Sequence, residues 1–449
     1  MSDSALSILL ETAPISGLLV APTPGKFSPA PITLHPSPVK SSHFLTATKY
    51  STTYNALQHS ARSSYTTWLR PHLESAARAD PNFTGRLLAL ADGVSKMPAV
   101  MALPVLSVIR VDYMSNSSER CPKLVEYNTI ASSFGCLSTS LAELHGLVGA
   151  EPAANSATEK IASCLRSQIK DEGGVAVMVV LEGEANSFDQ GMLIKRVLEM
   201  GGGMVRRSLA EIDEHAERGE DGYLYLSLES GERKRVDVVY YRAGYDPSNY
   251  PTERHWEGRR KLEESMAVKC PDVFGQLFGA KKVQQVLCIE DERARLGAPR
   301  GSEGVEETWV GMWPLTDFPA VRAMVARGDK GYVLKPQREG GGNNVYGREV
   351  LPALDAMEEG EREGYVLMEA ISPDVFTNSL IKDGEVKYEG ECSAEFGVFG
   401  VACYGADGKD LLEGKGGGMG YICRCKRVGV DEGGVAAGFA FLSSIKLVD

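Results

Sequence analysis

The chain has 449 residues, 43% of them hydrophobic and 24% charged, enough to bury a sizeable core in two or more structural units and balanced as in a globular protein. A formal charge of −12 argues against a general nucleic-acid binder, whose footprint is a basic patch. No apolar stretch approaches the roughly 20 residues of a membrane span, so neither nucleic acid nor membrane is expected as a partner.

Residues 1–41 are rich in Pro, Ser and Thr, and Pro22, Pro24, Pro29, Pro31, Pro36 and Pro38 exclude a long helix. Val20-Ala21 and Ile32-Thr33-Leu34 read as short strands, and Phe44 to Leu90 as helical with a break at Pro71. The short apolar run Ala5–Leu10, flanked by Asp3 and Glu11, lacks the basic flank of a signal peptide. Nine cysteines without a C-x-x-C pair, and Cys423-x-Cys425 too close for a zinc spacing, read as reduced structural thiols in a cytoplasmic protein.

Val105–Met114 is an apolar strand that carries Arg110 and Asp112. Its partner Lys123–Ile130 places Glu126 and Asn128 on one face, because residues i and i+2 of a strand project together. A carboxylate and an amide oxygen side by side suit magnesium; the alternative is a plain strand with its polar face in water. The small residues Ala131, Ser132 and Ser133 then suit close approach to a ligand.

The near-continuous apolar run Val175–Leu181 reads as a strand buried on both faces. It begins an α/β unit of about residues 173–280, with a helix at Met192–Met200, a glycine stop at Gly201–Gly203, and strands at Val205 and Val236–Tyr241. Ligands of such units bind beyond the carboxyl ends of strands, where Glu184, Gln190, Arg242 and Tyr245 fall. Lys281-Lys282 reads as the end of a helical stretch from Trp256, and residues 289–304 as loop.

The densest chemistry is Lys335-Pro336-Gln337-Arg338-Glu339-Gly340-Gly341-Gly342-Asn343-Asn344, after the strand Gly331–Leu334. Three successive glycines let backbone N–H groups approach polyphosphate oxygens, with Lys335 a point charge and Glu339 a ligand for a hard cation. The alternative is a flexible connector. The strand Gly364–Ile371 offers a backbone edge and apolar walls for an adenine ring, or is simply core. Arg424 and Lys426 alternate onto one face, and Asp431–Gly438 is small enough for a lid, or for the start of a last helix, or both.

Arg110-Val-Asp112-Tyr113-Met114, Glu126-Tyr-Asn128-Thr129-Ile130, Phe188-Asp189-Gln190, Lys281-Lys282-Val-Gln-Gln, Lys335–Asn344 and Gly433–Gly438, in this order, resemble the eukaryotic type of glutathione synthetase, an ATP-grasp ligase. The resemblance implies an α/β fold, a permuted ATP-grasp body (residues 1–172 and 281–449) with an inserted substrate-binding domain (residues 173–280), and a homodimer. It implies ATP, γ-glutamylcysteine and glycine as substrates, with Mg2+ held by Glu126, Asn128 and Glu339. Nothing read at the acceptor site separates glycine from β-alanine, and a non-catalytic homologue would be expected to lack Lys335, Glu339 or Arg110, all present here.

On the same resemblance, ATP would be held by Glu126, Lys281, residues Lys335, Pro336, Gln337, Arg338, Glu339, Gly340, Gly341, Gly342, Asn343 and Asn344, then Tyr346, Glu395, Lys426 and Glu432, with Met368, Glu369, Ala370 and Ile371 beside the base. Arg110 and Arg424 would serve catalysis and the substrate carboxylate. The dipeptide would be held by Ala131, Ser132, Ser133, Glu184, Ala185, Asn186, Gln190, Arg242, Ala243, Gly244 and Tyr245, with Val435 and Ala436 closing over it. The family commonly has Ser where Ala131 stands and Asp where Glu432 stands, so the acidic lid residue is Asp431 or Glu432.

Overall fold

The structure, a computed structural model, describes all residues except 1–2, 24, 229, 299, 301–304, 338–342, 413–418, 432 and 436–437. The predicted glycine loop, Arg338, Glu339, Glu432 and Ala436 therefore lie outside the described residues.

Three sheets carry the fold. The largest has seven strands in the order Val375–Lys382, Ile32–Thr33, Phe441–Ser443, Tyr421–Arg427, Glu385–Tyr404, Val105–Met114 and Lys123–Asn128. The 20-residue strand Glu385–Tyr404 also pairs with Val375–Lys382, so part of this sheet closes on itself. The second sheet has six strands between residues 174 and 270. Its centre is parallel, Met204–Arg207, Gly174–Val179, Arg233–Tyr241 and Val268–Cys270, with antiparallel Leu224–Ser227 and Ala216–Arg218 at one side. Every residue of Gly174–Val179 is buried, as its unbroken apolar run requires. The third, small sheet orders Met312–Pro314, Tyr365–Glu369, Tyr332–Pro336 and Val345–Tyr346, all antiparallel.

The first two sheets share one core, in which Val177, Val179 and Tyr241 pack in the same cluster as Ile109, Val111 and Tyr113. The small sheet has its own core of Leu315, Val321, Tyr332, Leu334, Val350, Leu354 and Leu367. Among the described residues no helix is long and apolar enough to cross a membrane. All nine cysteines are free, and eight are buried.

Three local expectations need correction. Pro71 does not break the helical run; it sits in the first turn of the helix Arg70–Ala79, where its missing N–H costs no bond. Lys281 does not end a helix but begins one, Lys281–Leu287, after Glu253–Glu263, Val268–Cys270 and Val273–Phe278. The loop expected at 289–304 contains the helix Glu290–Arg295. After Val435, Gly438 N donates to Val435 O at 3.0 Å, and among the described residues the next element is the strand Phe441–Ser443. The stop at Gly201 holds: with φ at 72°, Gly201 and Gly202 return their N–H groups to Leu198 and Val197 at 2.9 and 3.0 Å.

Candidate active site

Register places the first group of side chains. Residues opposed across a ladder share a face. Arg110 opposes Asn128, Asp112 opposes Glu126 and Gly397, Glu395 opposes both Met114 and Arg424, and Ser393 opposes Lys426. Four adjacent strands thus bring Arg110, Asp112, Glu126, Asn128, Glu395, Arg424 and Lys426 onto one face of the large sheet.

Asp112, fully buried, is the hub of this face. It receives Arg110 Nε and Nη2 at 2.7 and 2.9 Å, Asn128 Nδ2 at 3.0 Å and Arg424 Nη2 at 2.7 Å. Arg424 also donates to Glu395. Gly397 makes room for the hub: a Cβ there would lie 2.2 Å from Asp112 Oδ1 and 2.9 Å from Arg110 Cδ. Lys281, first residue of its helix, donates to Glu126 at 2.6 Å. Burial pushes the Glu126 carboxyl up, but Lys281 and Lys335 outweigh it and hold the group ionised, well below the usual carboxylate range. Burial lowers the Lys335 ammonium to about 8, against the pull of Glu126. Burial raises Glu395, with Asp112 and Glu126 adding to the effect and Arg424 opposing it.

The small sheet supplies the opposite wall. Val333 opposes both Tyr346 and Met368, and Lys335 opposes Val366, so Lys335, Tyr346 and Met368 share a face. Between the two sheets lies a cleft of about 410 Å³, lined by Glu126, Lys335, Asn344, Tyr346, Met368, Ile371, Glu395, Arg424 and Lys426, with Met114, Val125 and Val375 as apolar wall. Lys335 Nζ donates to Val125 O at 3.1 Å, and Lys426 Nζ to Asp431 O at 2.5 Å. Asp431, Gly433 and Gly434 line the same cleft. Glu369 and Ala370 also line it, though the Glu369 carboxylate turns to the surface and pairs with Lys330 at 2.7 Å. Buried Gln337 accepts Lys282 N at 2.9 Å outside the cleft lining, Pro336 ends its strand half-buried, and Asn343 is exposed.

A second group gathers at the carboxyl ends of Gly174–Val179 and Arg233–Tyr241. Arg242 Nη1 donates to Asp189 Oδ2 at 2.9 Å, with both side chains almost wholly buried. Arg242 Nε and Nη2, and both amide atoms of buried Asn186, have no partner among the described residues. Gln190 donates to Glu184 at 2.7 Å, and burial raises the Glu184 carboxyl. Glu184 and Gln190 line a cavity of about 210 Å³ with Arg206, Ala21 and Phe27, and Ala185 O accepts Ala21 N at 2.7 Å. Gly244, at φ 96°, could not carry a Cβ, which would lie 2.8 Å from Tyr250 Oη. Ala243 is buried, and burial raises the hydroxyl of Tyr245. Ser132 and Ser133 spend their hydroxyls locally, on Asn128 O and Ala131 O. Val435 is buried in the core cluster that also holds Leu442 and Phe134, rather than facing the cleft.

The two groups are continuous, because the strand that carries Glu126 and Asn128 runs directly into Ala131–Phe134, and Ala131 N donates to Tyr241 O at 3.1 Å. Two residues central to this arrangement, Asp112 and Asp189, carried no role in the sequence reading. Both lie inside the motifs that carry the resemblance, and each binds other protein groups rather than an open space: side chains at Asp112, and three backbone N–H groups with Arg242 at Asp189. The Arg110-x-Asp112 alternation on one strand face was the available signal for the first.

Residues 10–447 match the family described as eukaryotic glutathione synthase, ATP binding domain. The chain is 34% identical over 440 residues to the chloroplastic glutathione synthetase of Solanum lycopersicum, covering 93% of this chain and 78% of that protein. It is 34% identical over 469 residues to the glutathione synthetase of Bos taurus (98% and 94% covered) and 33% identical over 438 residues to that of Homo sapiens (92% and 89%). Among solved structures, the apo form of a glutathione synthetase-like effector from Globodera pallida superposes with a TM-score of 0.76 over 99% of this chain and 96% of that one, at 17% identity, a likeness of fold.

Proposed function

The chain belongs to the eukaryotic glutathione synthase family, and from that premise we propose that it is an ATP-dependent ligase joining γ-glutamylcysteine to glycine through an acyl phosphate. One observation carries the reading: beside a charged cleft between two sheets, and joined to it through the chain at Ala131, buried Arg242 and Asn186 keep polar atoms without partners among the described residues. Buried polar groups without partners are costly, and a polar ligand removes that cost. The finer architecture we assign is a permuted ATP-grasp body, residues 1–172 and 281–449, with residues 173–280 inserted, acting as a cytoplasmic homodimer.

The nucleotide would lie in the 410 Å³ cleft, its base beside Met368 and Ile371 and its phosphates toward Lys335 and Lys426, with Lys281 reaching it from its pairing with Glu126. Glu126 and Asn128 are hard oxygen donors on one sheet face, and the lysines keep Glu126 ionised, which suits Mg2+. With Glu339 these residues would hold the ion, which when bound neutralises phosphate charge. The dipeptide would extend from Arg110 toward Arg242, Asn186 and Glu184.

Phosphoryl transfer needs alignment and charge neutralisation more than covalent help from the protein. The cysteinyl carboxylate attacks the terminal phosphorus, the bond to ADP breaks, and an acyl phosphate forms. The amine of glycine then attacks the acyl carbon, phosphate leaves and the amine sheds a proton. Arg110 and Arg424, both clamped by Asp112, present guanidinium donors to the oxygens that gain charge. The Gly433-Gly434 segment would close over the acyl phosphate to keep water out.

The test is phosphate release from ATP with γ-glutamylcysteine, with glycine and β-alanine as parallel acceptors. Release that depends on both dipeptide and glycine is expected. Preference for β-alanine would reassign the acceptor, and release independent of the dipeptide would sink the ligase reading.

A further inference from the structure

Asp189 is 2% exposed and receives four hydrogen bonds from two separate parts of the chain. Arg242 Nη1 donates at 2.9 Å. The backbone N–H groups of Phe134, Cys136 and Leu137 donate at 3.1, 2.9 and 3.3 Å. Those three begin the helix Gly135–Leu147, whose own N-cap residue, Phe134, gives no side-chain cap. A carboxylate from another helix therefore performs the capping, at the end where the helix dipole favours negative charge.

The loop so held is strained. Ala131 and Phe134 have φ of 54° and 65°, in the left-handed region that non-glycine residues resist at a cost on the order of 1 kcal/mol or more each. Such conformations persist where the surroundings over-determine them, and Asp189 supplies that constraint. The same carboxylate engages one edge of the Arg242 guanidinium and leaves Nε and Nη2 without partners among the described residues.

The geometry points to Asp189 as a positioning residue for the dipeptide: it fixes the Ala131–Phe134 loop and the rotamer of Arg242 together, so that two elements proposed to hold the dipeptide are set by one carboxylate. This rests on the proposed binding of γ-glutamylcysteine at Arg242. Asp189 touches no substrate in this scheme; it aims what does.

D189N keeps the shape and removes the charge. It is expected to raise the KM for γ-glutamylcysteine about 10- to 100-fold through misplaced contacts, while the KM for ATP changes less than about twofold. In a double-mutant cycle with R242K, the pair is expected to be non-additive, the double variant resembling the worse single variant within about threefold. Were D189N not to fold, D189E, which retains the charge, and D189E/R242K are read on the same scales, and D189E is expected to raise the dipeptide KM less than R242K does while the ATP KM changes less than about twofold; a D189E as impaired for ATP as for dipeptide would overturn the proposal. Equal losses for ATP and dipeptide, a fully additive cycle, or a lowered Tm with unchanged dipeptide KM would reduce Asp189 to a helix cap and overturn the proposal. The wild-type protein is the control for the reading beneath it, because absence of dipeptide-dependent phosphate release there would refute the ligase, not the positioning.

Discussion

Gly397 has no side chain, yet it decides the geometry of the charged face. Asp112 and Arg110 lie flat across it, and a methyl group would meet Asp112 Oδ1 at 2.2 Å and Arg110 Cγ and Cδ at 2.9 Å. Nothing can yield cheaply, since Asp112 is held by Arg110, Arg424 and Asn128 at once. Gly397→Ala is therefore expected to push the hub out of register, costing about 1–3 kcal/mol by overpacking. Turnover should fall further than stability, by about 100-fold, because both arginines move together. Steady-state kinetics beside denaturant unfolding read the two effects, and a variant with normal kcat would remove Asp112 from its central place.

At the scale of elements, the site is a meeting of strand faces across two sheets. The segment after Tyr421–Arg427 is the piece best placed to change that meeting, since Gly433 sits with its α-carbon against Glu395, where a Cβ would lie 3.3 Å from Oε2. Gly433→Val is expected to hold the segment off the cleft, slow product formation about tenfold or more, and let ADP form in excess of glutathione as water reaches the acyl phosphate. Parallel assays of ADP and glutathione decide it; unchanged coupling at normal rate would refute closure by this segment. Strand alternation made much of this arrangement legible beforehand: Glu126 with Asn128, and Arg424 with Lys426, share a face simply because they are two residues apart. The apolar runs at 105–114 and 174–179 were equally readable. The strand Glu385–Tyr404 was readable only in part: Val386, Tyr388, Cys392, Ala394 and Phe396 alternate with Lys387, Glu389, Glu391 and Glu395 as in a strand with one polar face, but Gly390 and the change after Phe396 to a run apolar on both faces hid its 20-residue length. Nor could local pattern reveal that Asp189 reaches a different helix, or that Gly397 opposes Asp112, since both depend on tertiary register. Pro71 misled for a related reason: proline is a breaker inside a helix and a good starter in its first turn, and only the surrounding fold chooses.

At the scale of the whole molecule, the two ends of the chain close the structure from beneath. Ile445–Val448 pairs in parallel with Ser37–Lys40, and His145 bridges both ends from the helix Gly135–Leu147. His145 Nε2 lies 3.0 Å from Thr33 O, and Nδ1 lies 2.7 Å from Ser444 Oγ. A carbonyl can only accept, so Nε2 carries the proton and Nδ1 accepts from the serine hydroxyl. The ring is fully buried, and burial, with His35 nearby, lowers its pKa from 6.5 to about 4. An unfolded chain would take up this proton near pH 6.5 and the native one only near pH 4, so the neutral ring supports the fold fully above that upper value. As pH falls between the two, the unfolded state binds the extra proton and stability drops, by about 1.4 kcal/mol per pH unit at most from this one group. His35, His43, His59 and His72 are also lowered by burial, so the wild-type slope is a sum, and the share of His145 must be read by difference. Glutamine can donate to Thr33 O and accept from Ser444 without titrating. His145→Gln is thus expected to lose less stability than wild type between about pH 7 and about pH 5 in denaturant unfolding, because its linkage term is gone. Parallel slopes for the two proteins would mean that His145 takes up its proton at the same pH in the folded and unfolded chain, and a wild type that gains stability relative to His145→Gln as pH falls would mean that the ring is charged in the fold.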